Sequence, residues 1–165
     1  QRQMCIRDSL YEHPGNTFVA TFIGSPSITL VENVVVKDGK AGLGAGHSMH
    51  FGMPEDLIAK LPGESVIAGV RPENWEIVAA GEDAPDGVDT LAFQVQLVEN
   101  LGSEAFLYVE PQLESDSPVQ IYKNRVAIKV PSAEGFEQGT ILHARPRLGK
   151  AMFFHPESRI NLEYL

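Results

Sequence analysis

After Pro26 the sequence consists of short apolar runs that alternate with turn-forming residues. The runs are rich in valine, isoleucine, leucine and phenylalanine, and glycine, proline, asparagine and aspartate separate them. Many short strands at close spacing are typical of a small antiparallel barrel or sandwich, so the sequence predicts a mainly β fold. The runs cover residues 28–36, 66–70, 91–98, 105–109, 119–122, 126–130, 141–144, 152–154 and 160–162.

The segment before Pro26 has a different pattern. Asn16 or Thr17 can cap a short helix, and Phe18, Phe22 and Ile23 follow at helical spacing. Gly24-Ser25-Pro26 ends this helix. We therefore expect a linker helix whose apolar face packs on a neighbouring domain. Residues 54–61, which begin with proline and two acids, predict one or two further helical turns.

The first nine residues do not resemble the rest of the chain. Met4-Cys5-Ile6-Arg7-Asp8-Ser9 resembles one reading frame of the transposon adaptor used to prepare sequencing libraries. We expect residues 1–9 to be a non-native scar, residues 10–26 to form the linker helix from a missing domain, and residues 27–165 to form the main domain. Because Cys5 is the single cysteine, an internal disulfide is excluded.

The charge balance limits the possible partners. There are 13 lysines and arginines against 22 aspartates and glutamates, which gives a net charge of −9. Nucleic acids and anionic membrane surfaces both need a cationic footprint, so we expect neither as a partner. No apolar run approaches the roughly 20 residues that a membrane-spanning helix needs.

Phosphate-binding loops are missing from the sequence. Gly149-Lys150-Ala151 lacks the hydroxyl residue and the earlier glycine of a nucleotide-binding P-loop. The stretch Gly42-Leu43-Gly44-Ala45-Gly46 is glycine-rich, but no helix follows it where a phosphate site would need one. We expect a hairpin there and no cofactor bound by this chain.

Catalytic and metal-ligating patterns are also lacking. His47 and His50 stand three residues apart, but the glycines around them argue against a helix that would bring them together. The five histidines are His13, His47, His50, His143 and His155; ordinary surface histidines are the expectation, and no metal is expected. Glu99 and Glu104 flank a turn and can be interpreted as a carboxylate pair or, more simply, as solvated acids on a barrel rim. No catalytic residue is predicted.

Arg71 and Glu73 stand two residues apart around Pro72, which marks the end of a strand. Two hypotheses remain open. The pair orders the barrel mouth and the loop toward a neighbouring domain, or it is an exposed ion pair worth less than about 1 kcal/mol. Gly102, in the turn Asn100-Leu101-Gly102-Ser103, is expected to adopt a positive φ.

Three local patterns together resemble a known family. The first is Leu10-Tyr11-Glu12-His13-Pro14, followed by Asn16-Thr17-Phe18-Val19-Ala20 and Phe22-Ile23-Gly24-Ser25-Pro26. The second is Gly69-Val70-Arg71-Pro72-Glu73, and the third is residues 98–104. In this order they resemble the C-terminal part of the ATP-binding subunit of bacterial carbohydrate ABC importers of the maltose and glycerol-3-phosphate type.

The resemblance implies a transport-associated regulatory domain of the oligonucleotide/oligosaccharide-binding (OB) type over residues 27–165. It further implies a homodimer joined through these domains, a partner permease in the membrane, and a peripheral position on the cytoplasmic face of the bacterial plasma membrane. ATP and magnesium are expected only in an upstream ATPase domain. The motif and interface candidates are Phe18, Phe22, Ile23, Gly24, Ser25, Pro26, Gly69, Arg71, Pro72, Glu73, Glu99 and Gly102.

Three other interpretations stay open at this point. The chain is alternatively a stand-alone barrel that binds a small oxyanion or oligosaccharide, which convergent basic residues at one barrel mouth would favour. A nucleic-acid-binding barrel needs a basic, aromatic-lined groove, and the charge of −9 argues against it. An enzyme has no supporting constellation in the sequence.

Overall fold

The computed structural model describes residues 2–37, 40–43, 49–87, 89–113 and 120–165. Two helices, α1 (Arg2–Glu12) and α2 (Thr17–Phe22), precede the first strand, and a third, α3 (Glu55–Ile58), lies between strands. Three short 3-10 turns cover Pro72–Asn74, Tyr122–Asn124 and Leu162–Tyr164. The strands are β1 (Thr29–Lys37), β2 (Lys40–Leu43), β3 (Ser65–Val70), β4 (Trp75–Ala80), β5 (Leu91–Asn100), β6 (Ala105–Pro111), β7 (Gln120–Ile121), β8 (Val126–Val130), β9 (Ile141–Pro146) and β10 (Met152–Phe154).

The strands form two five-stranded sheets. The first has the order β10-β3-β1-β2, with β7 also pairing with β1, and the second has the order β4-β9-β5-β6-β8. Every strand pairing described is antiparallel. The expectation of a mainly β, antiparallel, OB-like fold with a short N-terminal helix is therefore confirmed.

Alternation along the strands divides the first sheet between two apolar clusters. In β3, Val66 and Ala68 belong to the main core, whereas Ile67 belongs to a second, smaller cluster. The main core draws side chains from both sheets, and its fully buried aromatic rings include Phe93 and Phe153. The smaller cluster packs α2 against the other face of the first sheet and consists of Ala20, Ile28, Leu30, Ile67 and Phe154.

Most predicted elements are present. The helix at residues 17–22 has Asn16 as its cap, whose Oδ1 accepts a hydrogen bond from the Val19 amide at 2.9 Å. The strands predicted at residues 126–130 and 152–154 have the expected bounds. The proposed turn residues 38 and 39, part of the glycine-rich stretch and residues 114–118 lie outside the described residues.

One strand was not predicted, and two expectations about local structure need correction. Sequence reasoning did not predict β4, whose alanines favour strands weakly and whose place depends on pairing with β9. Of the strand expected at residues 160–162, only isolated antiparallel bridges from Ile160 to Asn16 and from Asn161 to Phe154 are present, because the 3-10 turn Leu162–Tyr164, capped by the Asn161 side chain, follows at once. His143 is buried in β9 and is not a surface histidine.

Candidate functional site around Arg71

Arg71 occupies the junction between β3 and the 3-10 turn that begins at Pro72. Pro72 has no amide hydrogen and its ring fixes φ, so the strand ladder ends at Val70 as the sequence indicated. Arg71 keeps an extended backbone, with φ −70° and ψ 154°. Its side chain therefore leaves the sheet at the end of β3, next to the N-terminal helices.

The Arg71 side chain is buried, with 1% of its surface exposed. Nη1 donates to the carbonyl oxygens of Ala20 and Ile23, both at 2.8 Å, and Nη2 donates to the carbonyl oxygen of Tyr11 at 2.8 Å. The guanidinium also lies over the Tyr11 ring, 4.0 Å from its centroid. The interpretation of Arg71 as half of an exposed ion pair is therefore wrong, because its burial and its backbone partners make it a bridge between the helices and the sheet.

Glu73 joins the same cluster through Tyr11. The Tyr11 hydroxyl donates a hydrogen bond to Oε1 of Glu73. Burial raises the pKa of Tyr11 well above its usual value, and the hydrogen bond to Glu73 adds to this effect. Burial lowers the pKa of Arg71, while Tyr11 and Glu73 act in the opposite direction. The arrangement holds one cation among three carbonyl dipoles and one nearby carboxylate, which suits a guanidinium with its five donors.

Two glycines make room for this packing. Gly24 has φ +113°, and a Cβ there would lie 3.0 Å from Cε2 of Tyr11 and 3.4 Å from Nη1 of Arg71. Gly69 lies in β3, where a Cβ would come within 2.8 Å of Cδ1 of Ile28. Ser25 and Pro26 follow Gly24 and are joined by a cis peptide bond. The motif glycines therefore allow close approach between the N-terminal segment and the sheet.

The helix α2 presents two aromatic rings to solvent. Phe18 and Phe22 are 72% and 75% exposed, and their rings stack with centroids 6.1 Å apart. Ile23 is half-buried, while Thr17 and Ala20 are buried. The expectation that Phe18 and Phe22 pack against a further domain stays a prediction.

A second set of contacts holds the N-terminal segment from the other end of the chain, and we call residues 159–164 the C-terminal clasp. Nδ2 of Asn161 donates to the carbonyl oxygen of Pro14 at 2.8 Å, and the Asn161 amide donates to that of Gly15 at 2.9 Å. Nε of Arg159 donates to Oγ1 of Thr17 at 3.0 Å, and the Thr17 amide donates to the Arg159 carbonyl oxygen. The clasp fixes the link between α1 and α2.

Glu99 and Gly102 lie at the β5–β6 turn. Gly102 has the expected positive φ, +89°, and its amide donates to Oδ1 of Asn100 at 2.9 Å. Glu104 pairs with Lys129 at 2.9 Å, so it is not half of a carboxylate pair with the exposed Glu99. Within the described ranges, no hydrogen bond or ion pair joins Glu99 or Gly102 to Arg71.

A cavity of about 460 Å³ opens beside Arg71. Its lining includes the carboxylates of Glu12, Glu73 and Glu163 as well as Lys150. Arg71, Lys150 and His13 share this cavity with three carboxylates, so its lining is not uniformly basic. Across the part of the chain that the structure describes, no three potential metal ligands cluster. What the arrangement around Arg71 does is to hold two helices against a sheet.

Sequence reasoning identified Arg71, Glu73 and Gly24 but missed Tyr11 and Asn161 as site residues. Tyr11 lies in the first family motif, so the motif gave a usable signal. No sequence signal pointed to Asn161, because its partner Pro14 is 147 positions away.

Comparison with known proteins places the chain among transporter subunits. It is 32% identical over 152 residues to the maltose/maltodextrin import ATP-binding protein MalK of Vibrio vulnificus, covering 91% of this chain and 37% of that protein. It is 31% identical over 157 residues to the diacetylchitobiose uptake system ATP-binding protein MsiK of Streptomyces coelicolor, covering 88% and 39%. The sn-glycerol-3-phosphate import ATP-binding protein UgpC of Bordetella pertussis is 34% identical over 99 residues, covering 60% and 25%.

The expected resemblance is confirmed: the chain is related to the C-terminal region of the ATP-binding subunits of sugar ABC importers. It spans less than two fifths of the length of these relatives. No protein-family model matches the sequence.

A solved structure supports the fold assignment. The molybdate-bound cytoplasmic molybdate-binding protein ModG has a TM-score of 0.57 to this chain at 14% identity, covering 81% of this chain and 99% of ModG. At that identity the likeness concerns the fold alone. None of the described helices is long and apolar enough to cross a membrane.

Proposed function

We propose that this chain is the regulatory region of the ATP-binding subunit of a carbohydrate importer, and that it works without chemistry of its own. The observation that carries the proposal is the buried Arg71, which ties the connecting helices to the OB-like domain through Ala20, Ile23 and Tyr11. A domain that precedes α2 would then move together with the β domain, because three charge-assisted hydrogen bonds join the two parts. The relatives are ATP-binding import proteins, which supports this proposal.

In the parent subunit, ATP and magnesium would bind upstream and hydrolysis would drive uptake of a sugar or glycerol phosphate through a membrane permease. The subunit would lie on the cytoplasmic face of the plasma membrane and would form a homodimer through its OB-like domains. The exposed Phe18 and Phe22 would be covered by the ATPase domain. Two exposed aromatic rings on one short helix would otherwise favour non-specific association in water.

The alternative of a barrel that binds a small oxyanion finds no support at the cavity beside Arg71. Three carboxylates line it, and the donors Nη1 and Nη2 of Arg71 are already occupied by backbone carbonyls. Molybdate binding belongs to ModG, and the residues around Arg71 would repel such an anion.

A hybrid importer tests the transport role. Residues 10–165 would replace the corresponding C-terminal region of a maltose-importer ATP-binding subunit, and maltose uptake and substrate-stimulated ATP hydrolysis would be measured in the assembled transporter. We expect uptake with the wild-type graft and reduced coupling with Arg71→Ala. Arg71→Lys keeps the positive charge but cannot reach all three carbonyl oxygens, so it separates the effect of charge from that of the hydrogen bonds. Lys150→Ala, at an exposed residue, serves as the control. A correctly assembled hybrid without uptake would reject the proposal.

Sedimentation equilibrium of the chain tests the homodimer. We expect a reversible dimer that Arg71→Ala weakens, because loss of the bridge loosens the N-terminal helices. A monomer at every concentration would reject dimerisation through this domain, and an unchanged dimer affinity in Arg71→Ala would reject an interface role for Arg71.

A further inference from the structure

A second cavity, of about 520 Å³, lies between α2 and the strands β6 and β8. Four aromatic side chains line it, together with two cations, Lys123 and Arg125. No aspartate or glutamate occurs among its described lining residues, although the chain carries 22 acids. The aromatic lining residues are Phe18, Phe22, Tyr108 and Tyr122.

The two cations are not committed elsewhere in the described ranges. Lys129, Arg145 and Arg159 each pair with a glutamate, whereas Lys123 and Arg125 have neither an ion-pair partner nor a side-chain hydrogen bond among the residues described. Lys123 Nζ lies 5.5 Å from the centroid of the Tyr122 ring. A cation–π contact at that distance is weak and leaves the ammonium donors available.

Among the described residues, Glu99 and Glu110 lie near the cavity but outside its lining. Glu110 accepts hydrogen bonds from Asn124 at 3.0 Å and from Gln96 at 3.3 Å, and it lines an adjoining cavity that shares Lys123 and Arg125 with this one. Burial raises the pKa of the Tyr108 hydroxyl, and the charge of Glu99, which lies outside the lining, adds to this effect. The described lining of this cavity is therefore cationic and aromatic, on a strongly acidic chain. Clefts of 300–1,000 Å³ with aromatic walls and a few polar groups are typical of small-molecule sites.

We propose that this cavity binds a phosphate ester carried on a flat-faced ring, the chemistry shared by sugar phosphates and nucleotides. Arg125 and Lys123 supply donors and positive charge for the phosphate, since a guanidinium matches phosphate geometry and an ammonium adds a point charge. Tyr108 and Tyr122 supply faces for the ring. The inference does not depend on the transport role, because the two tyrosines and the two cations belong to the β domain and leave the Phe18–Phe22 pair free for an ATPase contact.

Isothermal titration calorimetry of the full chain tests the proposal with two esters, glucose 6-phosphate and adenosine monophosphate. We expect at least one to bind with a Kd of about 0.1–1 mM, a modest affinity for a shallow site. Which ester binds more tightly distinguishes a sugar ring from a base. Arg125→Gln and Lys123→Gln should each weaken binding about tenfold, and Tyr122→Leu should weaken it about fivefold.

The controls separate this site from general anion binding. Lys37→Gln removes an exposed cation outside the cavity and should leave the Kd unchanged, and thermal unfolding should show all four variants folded. Glucose, inorganic phosphate and molybdate should each bind at least tenfold more weakly than the preferred ester. Equal binding of inorganic phosphate, or an unchanged Kd in Arg125→Gln, would overturn the proposal. Tighter binding of a single-stranded oligonucleotide than of the mononucleotide would replace it with a nucleic-acid groove.

Failure here and failure of the transport role remain distinguishable. A hybrid importer that transports maltose while the chain ignores both esters would reject only the ligand site. Ester binding that depends on Arg125, with an inactive hybrid, would reject only the transport role.

Discussion

The Arg71 guanidinium contacts Tyr11 twice, with its Cζ 4.0 Å from the ring centroid and its Nη2 2.8 Å from the backbone carbonyl oxygen. One side chain at the end of β3 thus holds both the ring and the main chain of a residue 60 positions earlier. The contact positions the last turn of α1, while Nη1 of the same guanidinium holds the carbonyls of α2. The first two helices therefore share one anchor.

Replacement of Arg71 by leucine should lower the free energy of unfolding by about 3 kcal/mol. It leaves three carbonyl oxygens without their hydrogen-bond donor and removes a buried cation–π contact. Urea denaturation measures the loss. Arg71→Lys should recover part of it, since one ammonium cannot reach all three carbonyls. Lys150→Ala, an exposed control on the same cavity, should change stability by less than about 0.5 kcal/mol. An equal, small effect in all three variants would contradict the bridging role.

Hydrogen exchange gives a second readout for Arg71. The Ile23 amide donates to the Val19 carbonyl in α2, and Arg71 holds the Ile23 carbonyl. Arg71→Leu should speed exchange at Ile23 more than at the centre of β6. Uniform acceleration at both places would show global destabilisation only.

The pH dependence of stability should reflect the titration of the Tyr11 hydroxyl. Burial and the Glu73 hydrogen bond raise its pKa in the folded protein, so the folded state retains the phenolic proton more tightly than the unfolded chain. The stabilisation is complete below the unfolded pKa of about 10 and declines as the pH rises above it. Urea unfolding from pH 8 to pH 11 should therefore show falling stability, and Tyr11→Phe should flatten the fall. Tyr122→Phe, at an exposed ring, is the control, and an identical slope in Tyr11→Phe would contradict the assignment.

Gly69 should not tolerate a methyl group. A Cβ at this position lies 2.8 Å from Cδ1 of Ile28 and 3.1 Å from Cε2 of Phe154, so Gly69→Ala should destabilise the protein by about 1–3 kcal/mol. Ile28→Val removes Cδ1 and should partly relieve the clash, giving a double mutant more stable than the sum of the single effects. Gly63→Ala, where nothing lies within 4 Å, should be nearly neutral. Strict additivity of Gly69→Ala and Ile28→Val would show that this contact is not the cause.

The contribution of Asn161 to stability should depend on the hydrogen bond that its Nδ2 donates. Asn161→Asp keeps the oxygen that accepts from Glu163 but loses the Nδ2 donor to Pro14, so a buried carboxylate would face a carbonyl. We expect a loss of about 2 kcal/mol in urea denaturation. Asn100→Asp is the matched change at an exposed site where the side chain serves Gly102 only as an acceptor, and it should be nearly neutral. Equal effects of the two substitutions would contradict the clasp.

The sequence predicted those features that local residues determine. Strand β8 and the helix α2 follow from alternation, helical spacing and the Asn16 cap, all within a few residues. Pro72 indicated the end of β3 because its own ring interrupts the ladder. The positive φ of Gly102 likewise follows from its turn alone.

The missing features depend on residues that are distant in sequence. Whether Arg71 is exposed or buried depends on Ala20 and Ile23, about fifty positions earlier, so the Arg-Pro-Glu motif left both hypotheses open. Strand β4 has alternation too weak to stand out and exists through its pairing with β9. Asn161 turned out to cap a short turn and bind Pro14, where apolar neighbours had suggested a strand.

The clasp also has a consequence for folding during translation, because its two sides lie far apart in the sequence. A ribosome exposes Pro14 and Thr17 long before it releases Arg159 and Asn161, which supply their partners. Until then the connecting helices are held by Arg71 but not by the clasp. The residues of the clasp are therefore made 142 to 147 positions after the joint that they lock, and the joint is complete only when both sides have been translated.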